Sequence, residues 1–132
     1  MRAIEITLDK PRRLRFTMQT LRSLETDVRN ALGLPLNEAM GRWFSVTSRL
    51  LVLHGLRHED RKLTLDTVEG LLQNHIDSGG DVEKVYDQAA RALRLSGVLG
   101  AAAAAAAQAE LDAEQATADE AAAGDPSGPA AS

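Results

Sequence analysis

Two different spacings of apolar residues divide the chain. In "AIEITLDKPRRLRFTM", residues 3–18, apolar and polar positions alternate on either side of a turn. Ile4, Ile6 and Leu8 fall on one face of the first run, and Leu14, Phe16 and Met18 on one face of the second. That is the signature of two half-buried strands. "DKPRR" supplies the turn, where Pro11 fixes φ and Asp9 bonds to local backbone. Glu5 and Thr7, with Arg13, Arg15 and Thr17, are expected on the solvent face, within reach of cross-strand pairing. An isolated hairpin is marginal in water, so its apolar face must pack on the later helical part of the chain.

From residue 18 the period lengthens to that of a helix. Met18, Leu21, Leu24, Val28 and Leu32 form one stripe, which Gly33 ends. "LPLNEAM" reads as a connector, with Asn37 the expected cap of a helix over residues 38–54. Met40, Trp43, Phe44, Thr47, Leu50, Leu51 and His54 make its inner face, and Gly55 its end. Thr64 caps a further helix bearing Leu65, Val68, Leu71, Leu72 and Ile76, with Asp66 and Glu69 near its positive pole. "SGG" at 78–80 breaks that helix. Asp81 then caps another, with Val82, Val85, Tyr86, Ala89, Ala92 and Leu93 inward. The pattern predicts an α+β fold over residues 1–100: an N-terminal β-hairpin followed by about four α-helices.

Residues 101–132 are of another kind. Half of them are alanine, none is Lys or Arg, and six are acids. All 15 basic residues therefore lie in residues 1–100, where the 19 acids less those six leave 13. The body carries a small positive balance and the tail a negative one, within a net charge of −4. Alanine has the highest helix propensity, but a helix with few large side chains to pack is marginal. Gly97 and Gly100 also weaken the junction. The expectation is an Ala-rich acidic tail, partly helical or disordered, ending in "GDPSGPAAS".

Composition removes several functions. A nearly neutral body lacks the basic excess typical of nucleic-acid binders. The absence of cysteine excludes disulfides, thiolate metal sites and a cysteine nucleophile. "MRAIEITLDKPRR" has no apolar signal-peptide core, and the longest apolar run in the body, residues 50–53, is far below the roughly 20 residues of a membrane span. The expected location is the cytoplasm.

Candidate chemistry gathers in "HGLRHED", residues 54–60. His54 and His58 have the i, i+4 spacing of paired metal ligands, which Glu59, Asp60 and a remote His75 would complete. The alternative is a helix terminus, where His54 meets exposed carbonyls and the other groups form a solvated connector. Gly55 between the histidines favours the terminus. Nothing sets the pKa values of Glu59 and Asp60 apart, as a catalytic pair requires. Neither a nucleophile elbow nor a glycine-rich phosphate loop occurs. No enzymatic activity, cofactor or metal is expected.

The arginines offer a rival. Arg12, Arg13 and Arg15 crowd the hairpin, and Arg57, Arg61 and Lys62 the loop. They suit phosphate contacts, but Glu5, Asp9, Glu25, Asp27, Glu59 and Asp60 interleave with the basic residues and favour a solvated face. Trp43 and Phe44 have core spacing and also suit a protein contact.

"GLRHEDRKLTLDTVEGLL", residues 55–72, resembles a signature of small tail-assembly proteins of long-tailed phages (siphoviruses) and prophages, including gene transfer agents. There a helix ends in Gly-Leu and an "RHED"-like loop, and an "LT" start leads into a helix with a "V..LL" stripe. "LRFTMQTLRSLE", residues 14–25, is similar to the family's strand running into a helix. Two features depart from it: Arg61-Lys62 stand where a proline often follows, and the Ala-rich tail matches no family motif. The resemblance implies a tail assembly chaperone that binds the tape-measure protein, recruits tail-tube subunits and is absent from the mature virion. It implies protein partners, with no small-molecule substrate or membrane, and leaves room for a homo-oligomer. Arg57, His58, Glu59 and Asp60, with Trp43 and Phe44, are the expected contact residues. A small helical nucleic-acid-binding or regulatory phage protein is the alternative.

Overall fold

The computed structural model describes residues 3–42 and 45–123. Its order is β1 (Ile4–Thr7), β2 (Pro11–Leu14), α1 (Met18–Leu32), α2 (Leu36–Gly41), α3 (Ser45–Leu56), α4 (Leu65–Asp77), α5 (Val82–Leu95) and α6 (Ala101–Ala123). An α+β fold opening on an antiparallel hairpin is therefore present; among the described residues up to 100 there are five helices instead of about four, and α6 is a sixth in the alanine-rich segment. Trp43 and Phe44 lie outside the described residues, as do residues 124–132. Among the described residues no helix is long and apolar enough to cross a membrane.

Register pairs Ile4 with Leu14, Glu5 with Arg13, Ile6 with Arg12 and Thr7 with Pro11. Pro11 thus opens β2 instead of forming the turn, a position where its missing N–H costs little. The pleat places Ile4, Ile6, Arg12 and Leu14 on the buried face. Met18 does not share it. At 60% exposure it begins α1 and points to solvent, and buried Arg12 occupies the inner face instead. Asp9 makes that burial tolerable: both its carboxylate oxygens accept from Arg12, at 2.7 and 2.9 Å. The same contact holds the Asp9 carboxyl below its usual pKa.

Thr17 caps α1 by accepting from the Thr20 N–H, and Gly33 closes it at φ 69°. Its inner stripe is Leu21, Leu24 and Val28. The expected connector is itself the short helix α2, preceded by Pro35 and not capped by Asn37. Glycine is a poor helix interior, and α2 stops at Gly41; Arg42 beyond it is extended. The expected helix over 38–54 is therefore two elements.

At the centre lies α3, whose residues from Leu50 to Leu56 are all buried. It touches α1, α4, α5 and β2. A helix covered on all sides carries no polar stripe, which explains why its sequence looks like a continuous apolar run. Gly55 does not end it. A Cβ there would stand 2.8 Å from Leu14 Cδ2 and 3.0 Å from Phe16 Cζ, so glycine is what lets the hairpin seat on α3. The Arg15 N–H donates to the Gly55 carbonyl at 2.9 Å, joining the two backbones.

Thr64 and Asp81 cap α4 and α5 as their sequence positions predict. Val68 and Leu72 of α4, and Val85, Ala89, Ala92 and Leu93 of α5, complete the core, while Ile76 is 45% exposed. Gly97 and Gly100, at φ 87° and 116°, then turn the chain so that α6 packs back antiparallel on α5. Ala107 is fully buried there and Leu111 packs beside it. Arg94 bonds Glu110, and Arg91 bonds Glu114 at 2.8 and 2.5 Å. The first half of the alanine segment is thereby docked; residues 112–121 are exposed.

Candidate functional site

The chain leaving α3 winds through a tight turn. The Arg57 N–H donates to the Leu53 carbonyl, and the Glu59 and Asp60 amides both donate to Leu56. Leu56 and Leu63 anchor its two ends in the core, at 1% and 3% exposure. Arg57, Glu59, Arg61 and Lys62 are exposed, whereas His58 and Asp60 are half-buried. The four clustered residues therefore do not all lie free at the surface.

The acids are turned to structural tasks. Glu59 accepts from the Arg13 N–H at 2.9 Å, tying the turn to the hairpin across 46 positions. Asp60 accepts from the Lys62 N–H and, with Glu59, adds to the negative field around Arg12. The basic groups of the turn face elsewhere. Arg57, Arg61 and His58 line a cleft of about 710 Å³ whose other walls are Arg15 and the first two turns of α1, with His54 from α3. Gln19, Thr20 and Ser23 are the α1 side chains exposed to it. No carboxylate of the described residues lines it.

His54 is the largest correction. It does not cap the helix end; it is 3% exposed and its Nε2–H donates to Asp27 of α1 at 2.7 Å. Burial holds its pKa below the ordinary histidine value, against the opposing pull of Asp27 and with a smaller push from Arg57. His58 is lowered for the same first reason, with Glu59 opposing and Arg15 and Arg13 assisting. Its Nε2 is buried without a hydrogen-bond partner. With His54 committed to Asp27, the i, i+4 pair is not arranged as ligands, and no metal-holding group of three or more such residues occurs among the described residues.

A second cleft, about 310 Å³, lies between α2, α3 and α5. Met40, Leu51 and Tyr86 give it apolar walls, with Thr47 and Asp87 as polar counterparts. Sequence reasoning named Arg15, Arg57, His58 and Arg61, but in separate places along the chain, and missed the start of α1 as the wall that joins them. One signal was available: Thr17 followed three residues later by Thr20, directly after an arginine and a phenylalanine, marks a helix start beside positive charge.

Comparison of the chain with protein-family models, curated proteins and solved structures finds no match.

Proposed function

We propose that this chain is a non-enzymatic assembly chaperone of the phage or prophage tail type, which binds the tape-measure protein and promotes polymerisation of tail-tube subunits around it. The reading rests on the likeness of residues 55–72 to that family's signature. The observation that carries it is the way this stretch is displayed. Leu56 and Leu63 pin the turn at both ends and Glu59 ties its middle to the hairpin. Arg57, Arg61 and Lys62 therefore stand exposed on a rigid support. A contact surface held in this way loses little conformational entropy on binding. The apolar walls of the α2–α3–α5 cleft suit one face of an amphipathic helix, the form expected of tape-measure segments.

Co-expression of the full chain with a long, helix-rich tape-measure protein from the same genome tests the reading. The expected outcome is that the long product becomes soluble and co-purifies, and that Arg57→Glu with Arg61→Glu weakens retention. If a folded chain leaves an expressed long product insoluble and unbound, the assembly role is wrong.

A further inference from the structure

We propose that the cleft between the start of α1 and the turn after α3 is a phosphate-binding site, with Arg15, Arg57 and Arg61 as its cationic walls. This does not depend on the assembly role. Its basis is a separation of charge that the linear sequence hides. Acids and bases alternate through residues 57–62, yet the fold draws Glu59 to the Arg13 amide and Asp60 to the Lys62 amide. The three arginines line a cleft that no carboxylate of the described residues lines. Neither Arg57 nor Arg61 has an ion-pair partner among the described residues. Asp27, the acid bound to His54, is committed to that ring.

Three further features fit an anion. α1 has no acid in its first turn, so the positive end of its dipole is not neutralised from within. Thr20 and Ser23 add hydroxyl donors on the same wall. His58, also a lining residue, has a buried Nε2 that no group among the described residues satisfies. Such an atom in a native fold calls for a partner.

The ligand is a phosphoryl group more readily than a carboxylate. The guanidinium forks of Arg57 and Arg61 and a helix terminus offer more donors than two carboxylate oxygens can accept, whereas a phosphate has three or four oxygens and a higher charge. The volume, about 710 Å³, admits a phosphate with a substituent. Among the described residues no aromatic side chain other than the two histidines lines the cleft, and these give a nucleobase little to stack on. The phosphoryl group itself is what this site would recognise, either free or at the end or along the backbone of a nucleic acid.

Isothermal titration calorimetry on the full chain tests this with pyrophosphate, inorganic phosphate, a short DNA oligomer with and without a 5′-phosphate, and a Glu-rich peptide. Saturable one-to-one binding of pyrophosphate is expected. Arg57→Gln with Arg61→Gln should weaken it by at least about tenfold, the scale of one lost charge-assisted hydrogen bond. Arg29→Gln with Lys84→Gln removes equal charge from exposed positions elsewhere and should change it by less than about twofold. Preference for the 5′-phosphorylated oligomer assigns the site to terminal phosphates; equal binding of both oligomers assigns it to the phosphodiester backbone. Amide shifts in the wild-type chain on adding pyrophosphate should concentrate at residues 15–23 and 57–61, which keeps the test valid should the variants unfold. The proposal is overturned by no saturable binding up to about 10 mM, by equal losses in both double variants, by shifts centred elsewhere, or by tighter binding of the Glu-rich peptide than of pyrophosphate.

Discussion

At the scale of single residues, two glycines predict opposite outcomes for the same substitution. Gly55→Ala would gain helix propensity but thrust a methyl group against Leu14 and Phe16, both at most 1% exposed and unable to yield. The overpacking should dominate, at a net cost of about 1–3 kcal/mol by urea denaturation. Gly70→Ala, on the exposed face of α4 with nothing within 4 Å, should stabilise by about 0.5–1 kcal/mol. His54 gives a pH dependence. A histidine whose pKa is lowered by folding is neutral in the native state, so the unfolded chain takes up the proton first as pH falls. Stability from this group is complete above about pH 6.5 and falls below it, and His58 adds in the same direction. Melting temperature should therefore drop from pH 7 to pH 5, and less steeply in His54→Gln. Asp27→Ala strands the buried Nε2–H and should cost about 1–3 kcal/mol at neutral pH. Gly33, Thr64 and Asp81 were legible as caps because a cap is a local device. The partner of His54 was not, since Asp27 is 27 positions away and no periodicity links the two.

At the scale of elements, the hairpin and the helices α1, α4 and α5 could be read from spacing, because each has one buried and one wet face. α3 could not be bounded in this way. Its burial on every side removes the stripe that would mark its limits, so Gly55 looked like a stop when it is a point of close approach. The alanine segment was hard to read for the converse reason. Its docking depends less on large apolar groups than on Arg91 and Arg94 meeting Glu110 and Glu114, pairs separated by 16 to 23 positions. Those arginines hold both carboxyls below their usual pKa, Glu110 chiefly through Arg94 and Glu114 through Arg91. Acids lowered by folding favour the docked state above their unfolded pKa and lose that contribution as pH falls through the lowered value. Acidification below about pH 4.5, or Glu110→Gln, should accordingly speed hydrogen exchange in residues 101–111 while α1 to α5 keep their protection. High salt should act in the same direction, as these carboxylates are solvent-accessible.

At the scale of the whole molecule, protection should be graded from the centre outward. Amides of α3 are expected to exchange most slowly, and those of α6 beyond Glu114 most quickly. A flat profile across α3 and α6 would contradict the central place given to α3. The candidate site also takes its meaning only at this scale. Acids and bases that neutralise one another in the sequence are parted when the turn after α3 meets the hairpin, and the basic cleft is the product of that parting. Local composition favoured a solvated surface because it counts charges without directions.

The bond from the Arg15 N–H to the Gly55 carbonyl also bears on the order in which the chain is assembled. The hairpin is made first, yet its seat lies well downstream in α3, and α3 in turn packs on α5, which is made later still. During synthesis, everything up to the end of α4 can gather around α3 while one apolar side of that helix stays open. Domains generally fold as units on emerging from the ribosome, and unfinished ones are prone to aggregate. The expected consequence is that the apolar side of α3 that meets α5 stays exposed until α5 is made.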